Sequence, residues 1–290
     1  MKKLLQDSFK ILRNNLLFIQ PLLLYLLMIM LASTYFVSGH VALYPKMLLA
    51  VSMILLTVAF FAGWMYINKK GIDDYVEEDS AEEISIKAIK NFKLFFSGVG
   101  EYFFRVLKGF LCFGVLYAAC FFFFKKLGKT IFANPVLINE LNKIAAVKTN
   151  EELTSLLTTF KPEDIMVLEL WIISIALFVS FLNFLFVLYL ASLFFKKENV
   201  IKSLFKTLLL FFKNIFKCIL VVIFLLVIYF IIGLLTAFSG QNPLAFAILI
   251  LIMTLYLNYY VILVFCFYNE RTKTNSNSGT ECIGQDTYIS

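Results

Sequence analysis

The side chains best equipped for chemistry in this chain are carboxylates, and seven of them crowd one stretch: Asp73, Asp74, Glu77, Glu78, Asp79, Glu82 and Glu83. That many oxygens would suit a hard divalent cation, but a single loop curls around calcium only with a D-x-D-x-D-G spacing, which this run lacks. The run reads instead as a solvated acidic linker that offsets nearby lysines. Its end, Ser80-Ala81-Glu82-Glu83, forms a capping box, in which the Ser80 hydroxyl and Glu83 carboxylate satisfy free backbone donors at a helix start. The single histidine, His40, has no second histidine or cysteine close in sequence, so metal ligation finds no support there. Cys112, Cys120, Cys218, Cys266 and Cys282 show no C-x-x-C spacing and read as small buried hydrophobes. No G-x-S-x-G, H-E-x-x-H, Walker A or G-x-G-x-x-G pattern occurs. The expectation is a non-enzymatic protein with no catalytic residues, no cofactor and no metal site.

Two amides stand apart because of where they lie. Asn183 and Asn258 fall near the middle of long apolar stretches, where hydrocarbon offers a polar group nothing to bond. Both are expected to turn into a helix bundle as buried polar contacts. There they would either glue neighbouring helices or mark a polar point on a solute path. Coupling to protons or ions usually places Asp, Glu or His at that depth, and none is there.

The elements that must position these groups are membrane helices. At 61% hydrophobic and 16% charged, the chain is too apolar for a water-soluble globule. Six charge-poor stretches give spans at about residues 16–37, 47–67, 106–124, 166–195, 218–238 and 244–268. Each approaches the roughly 20 residues a helix needs to cross the bilayer, the third only by borrowing Val106, Leu107 and a snorkelling Lys108. The fold class expected is all-α, a polytopic bundle of six transmembrane helices. Gln20-Pro21 is a candidate kink, Ala59 and Gly63 a small-residue contact face, and Trp64 and Trp171 aromatic belt residues at span ends. The basic N-terminus imitates a signal peptide, but its apolar run is too long and no cleavage site follows, so it reads as an uncleaved first helix.

Lys and Arg residues sort to alternate gaps, nineteen on the side of the termini against seven on the other. The positive-inside rule then places both termini in the cytoplasm, and the composition suits a bacterial inner membrane. Three segments on that side are amphipathic. In the first, Leu4, Leu5, Phe9, Ile11 and Leu12 oppose Lys2, Lys3, Lys10 and Arg13. In the second, Ile86, Ile89, Phe92, Phe96, Val99 and Phe103 oppose Lys87, Lys90, Glu101, Arg105 and Lys108. In the third, Lys202, Lys206, Lys213 and Lys217 fall within about 60° of one another on the helical wheel. Lys87, Lys90, Lys202, Lys206, Lys213 and Lys217 are therefore candidate contacts to anionic lipid, although ordinary snorkelling under the positive-inside rule explains them as well. The aromatic residues lie in spans and form no base-stacking platform, so nucleic acid is not an expected partner. Membrane lipid or a membrane-protein partner is.

Phe9-Lys10, Ile86-Lys87 and Ile201-Lys202 head a shared pattern, followed by Leu12, Ile89 and Leu204 and then by Leu17, Leu94 and Leu209. It suggests a threefold repeat of an interfacial helix plus a two-span hairpin. Residues 125–161 read as an external helical insertion, with short helices opening at Asn134-Pro135 and at Thr149-Asn150. Pro162-Glu163-Asp164 suits the first turn of the fourth span. Residues 271–290 read as a disordered cytoplasmic tail.

Asp7-Ser8-Phe9-Lys10-Ile11-Leu12-Arg13-Asn14 before the first span, and Glu198-Asn199-Val200-Ile201-Lys202-Ser203-Leu204 before the fifth, carry a likeness of layout. The chain resembles bacterial six-span proteins related to the membrane domain fused to some glycerophosphodiester phosphodiesterases, and their uncharacterised stand-alone relatives. The catalytic barrel of the fused enzymes has no counterpart in this sequence, so the resemblance implies a membrane module without phosphodiesterase chemistry. The function expected is a scaffold or accessory module that engages anionic lipid or a membrane partner. A transporter or channel for an apolar or lipidic solute is the alternative.

Overall fold

The computed structural model describes residues 1–37, 43–73, 84–131, 161–196, 198–239 and 242–280. All of its regular structure is helical. In chain order the helices are α1 (Lys2–Asn14), a 3₁₀ turn (Leu16–Phe18), α2 (Ile19–Val37), α3 (Leu43–Asp73), α4 (Ile84–Ile131), α5 (Pro162–Phe195), α6 (Val200–Lys213), α7 (Ile215–Ser239) and α8 (Pro243–Thr280). Among the described residues, six stretches are long and apolar enough to cross a membrane: Leu16–Thr34, Tyr44–Asp73, Ile89–Leu127, Ile165–Phe195, Ile215–Thr236 and Pro243–Thr272. They coincide with the six spans expected from hydropathy. The chain is a polytopic membrane protein.

Local chemistry decides where helices break and where they run on. α1 and α6 both stop at an asparagine, the residue whose short amide best competes with the helical ladder. Asn15 lies at φ −126° and ψ 38°, and Asn214 at φ −117° and ψ 27°. The Asn15 amide donates to the Ile11 carbonyl over 2.9 Å, and the Asn214 amide to the Leu210 carbonyl over 3.0 Å. Two turns earlier the Ser8 hydroxyl donates to the Leu4 carbonyl and the Thr207 hydroxyl to that of Ser203, each over 2.8 Å. α4, by contrast, runs unbroken for 48 residues through its own Asn91. The second amphipathic segment and the third span, expected as separate elements, are therefore one helix. Pro21 lies in the first turn of α2, where its missing donor costs nothing, so it does not kink a span.

α4 continues into the segment expected as an insertion, as far as Ile131. The short helices expected from Asn134 and Thr149 lie outside the described residues, as do His40, Cys282, the capping box and most of the acidic run. α8 continues to Thr280, so residues 271–280 of the expected tail are helical. Once a long helix is nucleated, each added residue costs little.

Two compact units divide the chain. One comprises Met1–Cys112 and the residues from Phe184 onward, the other Phe113–Asn183. In the second unit Phe124 of α4 stacks on Trp171 and Phe178 of α5, with centroids 5.1 and 4.2 Å apart.

The first unit concentrates its packing at one end of the bundle, where Val58, Phe60, Ala62, Trp64, Met65, Ile67, Asn68, Phe184, Leu188–Phe194 and Val261–Phe265 contribute buried side chains. Small residues let the backbones approach there. A Cβ on Gly63 would meet the Phe95 ring at 2.6 Å, and one on Gly98 would lie 2.5 Å from the Tyr66 Cβ. The contact face expected at Gly63 is thus the α3–α4 crossing. Trp64 is not an aromatic belt residue. It is 3% exposed, and its indole N–H donates to the Phe18 carbonyl over 3.2 Å, satisfying a group that the 3₁₀ turn leaves free. α1 lies against α8, with Ile11 and Leu12 packed on Ile262 and flanked by Ile72, Tyr259 and Cys266.

Candidate functional site at the α5–α6 junction

At the packed end of the first unit, α5 stops at Phe195 and α6 starts at Val200. The link between them carries carbonyls that no helix bonds. Arg105 of α4 supplies what they lack: its Nη2 donates to the carbonyls of Lys196 and Glu198, the latter over 2.7 Å. The planar guanidinium suits this, since several donors in fixed geometry can serve adjacent acceptors. The Tyr189 hydroxyl donates to the Val200 carbonyl over 3.2 Å, and the Asn199 side chain caps α6 by accepting from the Ile201 N–H over 3.2 Å. The link is bound from both sides.

Charge continues outward from that knot. Lys206 Nζ lies 2.6 Å from Glu198 Oε1. This hydrogen bond, reinforced by the fields of Lys206, Lys202 and Lys196, holds the Glu198 carboxyl below the ordinary carboxylate range against a smaller opposing effect of desolvation. Lys69 lies 2.6 Å from Asp73 and 5.7 Å from the centre of the Phe195 ring. Phe195 in turn stacks on Tyr268 of α8, and Tyr102 of α4 stacks on Phe194. Side chains of four helices, α3, α4, α5 and α8, thus gather around the link into α6.

α6 itself presents rows roughly 100° apart around its axis. Ser203, Thr207 and Leu210 are buried. Lys202, Lys206 and Lys213 are exposed and lie in one row, and Lys217, in the first turn of α7, is exposed too. Ile201, Phe205, Leu209 and Phe212 form a second exposed row, and Phe216 at the start of α7 reaches 80% exposure. A soluble protein would not leave such a row uncovered. α1 repeats the scheme, with Leu4, Ser8, Ile11 and Leu12 buried while Lys2, Lys3, Lys10, Arg13 and Phe9 are exposed. On α4, Lys90 and Lys93 are exposed beside Ile89, Phe92 and Phe96. The Lys87 side chain lies outside the described ones.

Lys202, Lys206 and Lys213 share one exposed row of α6, and Lys217 is exposed on α7. The two asparagines differ in exposure. Asn258 is fully buried, and neither of its amide atoms has a hydrogen-bond partner among the described residues. Asn183, expected to face the interior, is exposed, which corrects that expectation. It shares a row with Ile173 and Ala176, also exposed, while Leu182, Phe184 and Leu185 take the inward positions.

Sequence reasoning placed Arg105 on a polar helix face and missed its partners, because no local pattern announces a bond to a link some ninety positions on. The Asn199 cap and the lone Glu198 amid lysines were visible signals. Among the described residues no group of three His, Cys, Asp or Glu side chains could hold a metal. No protein-family model, curated protein or solved structure matches this chain.

Proposed function

We propose that the chain is a non-enzymatic scaffold or accessory module of the inner membrane, with both termini cytoplasmic, that engages anionic lipid through its basic amphipathic helices. The observation that carries this reading is the surface of α6, where an exposed apolar row runs beside an exposed lysine row on a helix anchored by its third, buried row. Such a helix lies in the membrane interface, its phenylalanines among acyl chains and its lysines at head-group level, where each gains about 1 kcal/mol from anionic lipid. Ordinary snorkelling accounts for lysines near span ends, but not for a separate capped helix with a large exposed aromatic row.

The reading includes an internal repeat. Its support is the matching pair of helix ends, in which Ser8 corresponds to Thr207 and Asn15 to Asn214, bond for bond. This register sets the copies about two turns apart from the one headed by Phe9-Lys10 and Ile201-Lys202. The middle copy, within α4, has fused its interfacial helix to its span.

A transporter for an apolar or lipidic solute is the second reading, favoured by the buried Asn258 amide. Asn183, exposed on α5, lends it no support.

The test is lipid retention by the purified full chain in detergent, measured by native mass spectrometry with phosphatidylglycerol and with phosphatidylcholine. The wild type should retain the anionic lipid preferentially, and Lys202→Gln with Lys217→Gln should weaken that preference by about thirty-fold, at about 1 kcal/mol per lysine. Equal retention of the two lipids would sink the reading.

A further inference from the structure

Asn183 sits well inside the fourth span, in the stretch Ile165–Phe195, with its amide exposed and with no hydrogen-bond partner among the described residues. Neither water nor acyl chains can satisfy it at that depth, and an unpaired amide in hydrocarbon costs several kcal/mol. The exposed face is therefore incomplete without a polar partner.

Its neighbours narrow what that partner is. At 100° per residue, Glu169, Ile173, Ala176, Ser180 and Asn183 fall in one row along α5. All but Ser180 are exposed, and Ser180, half-buried, turns its hydroxyl back onto the Ala176 carbonyl over 2.7 Å. Ala176 and Ser180 are small enough for another helix to come close to this row, and the inward-bonded hydroxyl makes no demand on that helix. What the row asks for is one complement, to a group bearing a partial negative oxygen and a partial positive N–H₂. An amide is complementary to its own image.

We infer that the chain self-associates through this row, a second copy of α5 packing in parallel about a two-fold axis normal to the membrane, close to Asn183. Under that symmetry each position meets its own counterpart, as in any isologous interface. The Asn183 Nδ2 of one copy donates to the Oδ1 of the other and the reverse, so one contact satisfies both amides. Ala176 meets Ala176 one to two turns away, where its small side chain permits close approach. Glu169, nearest the start of the span, falls where head-group water solvates two like charges. A different membrane protein would need an amide or comparable group at this same depth, whereas a second copy supplies it automatically.

The full-length chain, carrying a donor or acceptor fluorescent protein at its C-terminus and reconstituted in liposomes at a series of protein-to-lipid ratios, tests this by energy transfer. Wild type should show transfer that rises with density and saturates above the level set by random proximity. Asn183→Leu should weaken association by about 3- to 30-fold, the range expected for interhelical polar contacts in bilayers. Asn183→Gln should largely restore it, since the longer amide keeps both donor and acceptor. Ala176→Leu, which leaves the amide intact but blocks close approach, should also weaken it. Since positions 176 and 183 are exposed, both leucine variants should insert normally, which protease protection of the loops verifies. Transfer no higher than random proximity for wild type, with the amide met by lipid or another protein, would overturn the inference. So would an Asn183→Leu chain that associates as strongly as wild type.

Discussion

Arg105 on α4 donates through Nη2 to the backbone carbonyl of Glu198 over 2.7 Å, and thereby ties the start of α6 to a helix far away in sequence. The same nitrogen also serves the Lys196 carbonyl. Replacing Arg105 with Met would leave both acceptors unmet in a half-buried place. Losing charge-assisted bonds of this kind costs about 2 kcal/mol. The expected result is a lower thermal midpoint for the purified protein in detergent. Arg105→Lys should recover only part of the loss, because an ammonium on a flexible stem lacks the planar fork.

Asn15 and Asn214 end their helices in the same way, so their loss should have the same consequence. Asn15→Ala and Asn214→Ala each remove one amide-to-carbonyl bond, worth about 1 kcal/mol. The two effects should add in the double variant, since the residues share no bond. Denaturant unfolding of the two single variants and the double variant reads this directly.

Glycines on α4 separate packing from propensity. A Cβ on Gly98 would lie 2.5 Å from the Tyr66 Cβ and 3.0 Å from the Ala62 carbonyl oxygen, whereas one on Gly100 meets nothing within 4 Å. Gly98→Ala should therefore push α3 and α4 apart and cost about 1 to 3 kcal/mol, as overpacking does. Gly100→Ala should stabilise by about 0.5 to 1 kcal/mol, because it relieves only the conformational entropy of a helical glycine. Opposite shifts in unfolding midpoint two residues apart are the expected outcome.

What was legible beforehand follows from what is local. Hydropathy located all six spans because burial in lipid is a property of a stretch, read without knowing its neighbours. The lysine row of α6 was legible for the same reason, being a helical period in one segment. The Arg105 contact was not, since a long-range bond to a backbone carbonyl leaves no mark on the acceptor's side chain. Trp64 misled because tryptophan at a span end suits the interface and the buried indole–carbonyl bond equally well. Asn183 misled because hydropathy fixes the depth of a residue in a span but not the face of the helix it occupies. The break between α1 and α2 falls at a single residue, Asn15, whereas α4 passes through Asn91 unbroken. Such differences fall below the resolution of a periodicity argument.

The Glu198–Lys206 pair gives the junction a pH dependence whose sign can be fixed. Lys206 holds the Glu198 carboxyl below the ordinary carboxylate range, so the folded protein binds this proton more weakly than the unfolded chain does. A depressed carboxylate contributes stability above its unfolded pKa, and that contribution is lost as pH falls through the folded value. Glu198→Gln should therefore be less stable than wild type at neutral pH, and the gap should close on the acid side, where wild type carries a neutral side chain too. Lys206→Gln should show the same closing gap, because it removes the other half of the 2.6 Å contact. The measurement is the thermal midpoint of all three proteins in one detergent across an acid titration. A gap that stays constant with pH would assign the loss to packing around Glu198 rather than to its charge.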